Sequence, residues 1–215
     1  VLGIPLDRIT VTYCGCDASF RRLTDSQREH ERARRGWDEF MLAVGTIEPR
    51  KNLRTLLRAY ALMRREGYRG TLIHAGSKQW KSRDLDPLLD ELNLRDHVRF
   101  LGLVPDETLV LLYNLATVVA YPSLMEGFGL PVLEAMACGA PVVATTGSSL
   151  EEVGGEAAIY VAPTDVEALA DALLHVVSSP ALQASMAAAG PLRATQFSWA
   201  ECAKQTQAVY EQVVS

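Results

Sequence analysis

From Phe40 onward, short β-rich runs alternate with longer segments of helical period, and this alternation constrains the chain more than any other feature. Such alternation marks strand-helix-strand units, which build a parallel sheet. The expected strands are 40–45, 71–75, 97–101, 117–121, 141–145 and 157–161. Between them, Leu53, Leu56, Leu57 and Tyr60 recur at helical spacing behind Asn52, as do Leu85, Leu88, Leu89 and Leu92, and then Leu109, Leu112, Tyr113 and Ala116 behind Asp106. Burying one helix face on a sheet explains each stripe completely. The predicted fold class is therefore α/β: a parallel sheet of about six strands with helices on both faces.

Thr164 with Glu167 and Ser198 with Glu201 have the spacing at which a hydroxyl and a carboxylate cap a helix start reciprocally. A final helix is expected over 198–214, with Pro191 and the Ala-rich stretch before it as a connector. Ile9 to Tyr13 reads as one more strand, and 18–36 as a mobile, charged excursion. The expected organisation is thus a boundary segment and excursion over 1–36, a main domain over 37–190, and a C-terminal helix over 191–215.

The run EGFGLPVLE carries the most chemical information. Val118 to Tyr121 suit a buried strand, and Pro131 to Ala137 suit a helix stopped by Gly139, so Gly127 and Gly129 fall where strand hands over to helix. Unpaired amides of a first helical turn, with the positive end of the helix dipole behind them, favour an anion there. Glu126 and Glu134 would repel a phosphate, so they suit hydroxyl groups on a ribose and a sugar. The competing reading is an ordinary turn flanked by two solvated glutamates.

In parallel sheets ligands sit at the carboxyl ends of the strands. After the first expected strand comes Gly45-Thr46-Ile47-Glu48-Pro49-Arg50-Lys51-Asn52, and after the second come Gly76 and Ser77. Adjacent cations such as Arg50 and Lys51 repel one another and oppose the dipole of a following helix, and a shared anion is the simplest reason to hold them there. If the loops converge, Arg50 and Lys51 meet the amides of Gly127 to Leu130 across a space sized for a diphosphate. The alternative leaves both cations pointing to water.

The chain has 215 residues, 48% apolar and 22% charged, with a formal net charge of −5, which argues against a nucleic-acid partner. The basic cluster Arg28 to Arg35 alternates with acids and reads as a solvated helical face. No stretch approaches the roughly 20 apolar residues of a membrane span. With neither such a span nor a charged-then-apolar leader at the start, a cytoplasmic location is expected, membrane-peripheral in a longer protein, and the start at Val1 suggests a piece of a longer polypeptide. Cys14, Cys16, Cys138 and Cys202 are too few and scattered for a disulfide scaffold and are expected to be reduced.

The runs VGTIEPRKN, FLGLVPDETLVLLYNLATVVAYPSLMEGFGLPVLEAMACGAPVVATTGSSLEEVGG and APTDVEALADAL together resemble the donor-binding half of retaining glycosyltransferase family 4. The resemblance runs from Phe40 to about Val177. It implies the GT-B architecture of two Rossmann-like domains facing across a cleft, this chain being the second. Residues 3–17 are similar to the segment at the family's domain boundary. By the same resemblance Arg50 and Lys51 neutralise the nucleotide diphosphate, and Glu126 lies beside the donor sugar. Gly127, Phe128, Gly129 and Leu130 cradle sugar and distal phosphate, Glu134 holds the ribose hydroxyls, and the Gly102 to Val104 loop borders the base. Gly45, Thr46, Gly76 and Ser77 complete the implied donor site.

Thr46 departs from the arginine that many relatives carry after the first loop glycine, leaving the diphosphate to Arg50 and Lys51. None of His30, His74, His97 and His175 falls in the family's motifs, and His74 reads as a packed core residue. The resemblance implies a nucleoside diphosphate sugar as donor substrate, no cofactor and no metal, a mannosyl-like hexosyl group, and an acceptor bound by an N-terminal domain absent from this chain. Rival readings are another GT-B enzyme such as a nucleotide-sugar epimerase or an inverting transferase, and a noncatalytic binding half. A dinucleotide-dependent dehydrogenase is more distant, since no Gly-x-Gly-x-x-Gly turn follows the first strands.

Overall fold

Six strands form one sheet in the order β3-β2-β1-β4-β5-β6, all parallel, in a computed structural model describing residues 3–77 and 85–214. The strands are β1 (Phe40–Val44), β2 (Thr71–Ala75), β3 (Val98–Gly102), β4 (Val118–Tyr121), β5 (Val142–Thr145) and β6 (Ile159–Val161). Every expected strand from Phe40 onward is present, most starting one or two residues later. The Ile9–Tyr13 strand is not: the segment pairs with no sheet edge, and Tyr13 instead sets its ring against Phe197 and Phe128.

The helices are α1 (Asp25–Arg35), α2 (Leu53–Arg65), α3 (Leu85–Glu91), α4 (Asp106–Leu115), α5 (Leu130–Ala137), α6 (Ser149–Gly154), α7 (Val166–Ser178), α8 (Pro180–Ala194) and α9 (Trp199–Val214). Alternate residues of β1 feed two separate cores. Met41 and Ala43 join Leu56, Leu57 and Tyr60 of α2 with Leu169 and Leu173 of α7, whereas Phe40 and Leu42 join Leu112 and Tyr113 of α4 with Leu133 and Met136 of α5. Because both faces are covered, the inner strands β1, β4 and β5 read as nearly continuous apolar runs, while edge strand β3 carries exposed Arg99.

Three local expectations fail for physical reasons. Residues 25–35 are an ordered helix, closed by a capping box between Thr24 and Gln27. Arg28 Nε and Arg32 Nη2 dock α1 on the carbonyls of Asn114 and Leu115 at 2.9 and 2.7 Å, so the arginine run is only partly solvated. Pro191 lies inside α8 rather than in a connector. That helix packs so closely on α5 that a Cβ at Gly190 would stand 2.9 Å from the Met136 carbonyl, and the Ala187 carbonyl, which the proline leaves without its helical amide, accepts from Arg22 Nη1 at 3.2 Å. Asp165, not Thr164, caps α7, its carboxylate accepting from the Ala168 amide at 2.9 Å. Ser198 does accept from the Glu201 amide at 3.1 Å, one half of the expected reciprocal cap, while the Glu201 carboxylate accepts from Gln205 Nε2 at 2.9 Å.

The chain runs outward from β1 to β2 and β3, then returns to lay β4 on the other side of β1. The strand order therefore reverses between β1 and β4, and the loops leaving their carboxyl ends flank that switch point, the usual ligand position in open parallel sheets.

Candidate donor site at the sheet switch point

Three tight backbone contacts build one side of the switch point. Gly45 N donates to the Ala75 carbonyl at 2.9 Å, and Gly76 N donates to the Gly102 carbonyl at 2.8 Å. A Cβ on Gly76 would fall 1.9 Å from the Gly45 carbonyl oxygen, so only glycine fits there. Ile47 N bonds the Ser77 carbonyl at 2.9 Å and Ser77 Oγ reaches Thr46 Oγ1 at 3.3 Å. Gly45, Thr46, Gly76, Ser77 and the Gly102–Val104 loop thus form a continuous ridge, with Val104 half-buried on the α4 side of the core.

Pro49 opens a single 3-10 turn through Lys51, and Asn52 follows with φ 55°. Asn52 is more than a helix start: its Nδ2 donates to the carbonyls of Pro122 and Pro163 at 3.0 and 2.7 Å, strapping together the loops after β1, β4 and β6. Leu124 N adds a bond to the Arg50 carbonyl at 2.8 Å. Nothing in the local sequence announced this role, because asparagine before a helix is normally read as a cap.

The strap brings Arg50, Lys51 and Glu126 into one cluster. Lys51 Nζ lies 2.7 Å from Glu126 Oε1, and Arg50 Nη1 lies 2.7 Å from Glu126 Oε2 and 3.0 Å from the Met125 carbonyl. Arg50 Nη2 also pairs with Glu48 at 2.7 Å. The anion shared by the adjacent cations is therefore a carboxylate of this chain, and the image of both cations pointing to water is overturned. Glu126 is not a solvated glutamate either, its side chain being only 8% exposed. Burial by itself pushes the Glu126 carboxyl up, but hydrogen bonds and charge from Lys51, then Arg50, hold it below the usual carboxylate range.

Glu134 has the opposite environment. It sits one turn into α5, where Tyr113 O–H donates to its Oε2 at 3.1 Å. Burial raises its carboxyl above the ordinary value, and the Tyr113 bond opposes this only in part. Between the two glutamates, Gly127 faces open space, while Gly129 has φ 105° and an added Cβ would meet Leu150 at 2.5 Å. Gly129 is thus required by the turn and its packing as much as by any ligand. Ser149 Oγ ties down the carbonyls of Glu126 and Phe128 at 3.0 Å each, and Phe128 stacks edge-on against Phe197. The amides of Gly127, Phe128 and Gly129 donate to no group among the described residues.

Two tyrosines of this site were hidden in sequence as core residues. Tyr113 is the partner of Glu134, and Tyr121 accepts a hydrogen bond from Lys51 Nζ at 2.5 Å. Their place in apolar runs gave no sign that their hydroxyls point at charge. His74 is buried as expected, with its ring 5.7 Å from that of Phe100.

The sequence profile of the Glycosyl transferases group 1 family matches residues 25–193. This chain belongs to that family. It is 39% identical over 214 residues to O-antigen chain mannosyltransferase B of Escherichia coli, covering 98% of this chain and 56% of that protein. The serotype-specific mannosyltransferase WbdA of the same organism is 36% identical over 170 residues, covering 77% of this chain and 21% of that protein. Among solved structures, sucrose-phosphate synthase from Thermosynechococcus elongatus superposes with a TM-score of 0.82 at 30% identity, over 94% of this chain and 51% of that one. The fold is the Rossmann-like half of a GT-B glycosyltransferase, and the chain spans about half the length of the first and third of these proteins. Among the described residues no single helix is long and apolar enough to cross a membrane.

Proposed function

We propose that this chain is the donor-binding half of a retaining glycosyltransferase of family 4, which moves a hexosyl group, mannosyl-like by kinship with mannosyltransferases, from a nucleoside diphosphate sugar to an acceptor. The observation that carries this reading is the grip of Arg50 and Lys51, from the loop after β1, on Glu126, from the loop after β4. Both cations pair with one buried carboxylate, and the amides of the three residues that follow it donate to no group among the described residues.

On this reading the diphosphate takes donors from Arg50 and Lys51 and from the amides of Gly127 to Leu130. Charge developing on the departing diphosphate is met by groups already in place, and no metal is called for. Glu126 then turns from the cations toward the sugar hydroxyls and the positive charge at the anomeric carbon. Glu134, steadied by Tyr113, takes the ribose hydroxyls, and the ridge from Gly45 through Gly76 to Val104 borders the nucleotide. The acceptor belongs to an N-terminal domain, so this chain binds donor and transfers nothing by itself.

A melting screen with guanosine, uridine and adenosine diphosphates tests the reading. Ligand at 100 times its dissociation constant adds about 2.7 kcal/mol, or roughly 5–10 °C for a chain of this size. One nucleoside diphosphate is expected to give such a shift while its nucleoside gives none. Flat melting curves with all three at millimolar concentration would end the proposal. Retention of anomeric configuration in the product of the complete enzyme checks the retaining assignment.

A further inference from the structure

Lys51 is held on three sides, and only one of its partners is free to leave. Its stem rises beside Gly45, where an added Cβ would stand 3.2 Å from Cε. Its ammonium lies 4.7 Å from the centroid of the Tyr121 ring and donates to the Tyr121 hydroxyl at 2.5 Å. The third partner is the Glu126 carboxylate at 2.7 Å. Behind Lys51, between β1 and β4, remains a cavity of about 10 Å³ lined by Ala43, Ile47, Ala120 and Ser123. That is room for one water at most, so the ammonium cannot withdraw into the sheet.

Tyr121 and Glu126 differ in what fixes them. Glu126 stands on a loop, whereas Tyr121 ends β4, is 1% exposed and is in register with Ala144 of β5. Moving the tyrosine would break the sheet, and moving the glutamate needs only a side-chain rotation. We propose that Tyr121 is a positioning residue for Lys51, the fixed point that keeps the ammonium aimed at the switch point when Glu126 releases it to an incoming diphosphate. The inference rests on the donor-site reading above and adds to it a residue that acts through Lys51.

The chemistry suits the task. A lysine ammonium has three N–H donors, of which Tyr121 takes one and Glu126 another. The third, and then the one Glu126 gives up, serve the phosphate oxygens while the tyrosine bond persists. A free four-carbon stem would lose rotamer freedom on binding, and a stem already held loses less. The aromatic face adds attraction for the cation at no cost in donors. Burial, followed by the charge of Glu126, pushes the phenol up, so it stays neutral and remains an acceptor for the ammonium.

Inorganic pyrophosphate is the chosen probe, because it has neither base nor sugar and reads the cations alone. Its dissociation constant is to be measured calorimetrically for this chain and for Tyr121→Phe, Lys51→Gln, the double variant and Arg50→Gln, each checked for folding by its melting curve. Tyr121→Phe keeps the ring and removes the acceptor. It is expected to weaken pyrophosphate about tenfold, the low end for one charge-assisted hydrogen bond, and to change nothing further in the Lys51→Gln background. Unchanged binding in Tyr121→Phe, or the same loss with and without Lys51, overturns the proposal while leaving the donor site standing. Unchanged binding in Lys51→Gln and Arg50→Gln alike removes the donor-site reading, and Tyr121 with it. Should Tyr121→Phe fail to fold, 3,5-difluorotyrosine at this position is the second variant: its weaker acceptor must weaken pyrophosphate in the same direction, and unaltered binding refutes the role.

Discussion

Two groups of cations at opposite ends of the sheet show how little a basic run says by itself. On the α1 side, Arg22 Nη1 bonds the Ala187 carbonyl at 3.2 Å, Arg28 the Asn114 carbonyl, and Arg32 the carbonyls of Leu115 and, at 3.3 Å, Asp38. Asn114 and Leu115 close α4, where carbonyls lack helical partners and the dipole is negative. Those guanidinium groups are consumed by backbone that cannot move away. Arg50 and Lys51 share a side-chain carboxylate instead, Arg50 adding a backbone contact to Met125, and a side chain can be exchanged for a ligand. On the proposed function, what separates a clasp from a binding site is the partner rather than the cation.

Removing charge from either group should separate ligand affinity from stability. Lys51→Gln and Arg50→Gln should each weaken the stabilising nucleoside diphosphate about 10- to 100-fold, the worth of one charge-assisted contact, when titrated calorimetrically. Arg32→Ala should leave that affinity alone and cost about 1–2 kcal/mol of stability in urea unfolding, because two carbonyls lose a charged donor. A weakened nucleotide in Arg32→Ala, or an unaltered one in Lys51→Gln, would erase the distinction between the two groups.

The smallest effect separates the two glutamates by pH. Glu126 is depressed in the folded state, so its contribution is present above about pH 4.3, the unfolded glutamate value, and is lost as pH falls through its lower folded value. Glu134 is raised, so the folded state holds its proton more firmly and its contribution fades as pH rises from about 4.3 through the raised value. Urea midpoints over that range should therefore show Glu126→Gln destabilising most near neutrality. Glu134→Gln should do the reverse, gaining on the parent as pH rises. Parallel curves for both variants would contradict the opposite environments assigned to them.

Much of this arrangement was legible before folding. Two periodicities, one of strands and one of helices, determined six parallel strands with their helices, because burial on both faces leaves apolar runs no other consistent use. Glycine pairs at strand ends, proline at the start of α5 and the paired cations marked the loops that meet at the switch point, since backbone chemistry restricts glycine and proline to few positions. Only the tertiary structure decided what each charge faces. A cation does not name its partner in sequence, and Glu126 lies 75 residues from Lys51. The same gap hid the hydroxyls of Tyr113 and Tyr121, the Asn52 strap and the docking of α1 on α4, all of which depend on which distant backbone arrives alongside. The β-prone residues Ile9–Tyr13 failed to become a strand for the same reason: a strand exists only where a partner edge is present, and that is a property of the assembled sheet.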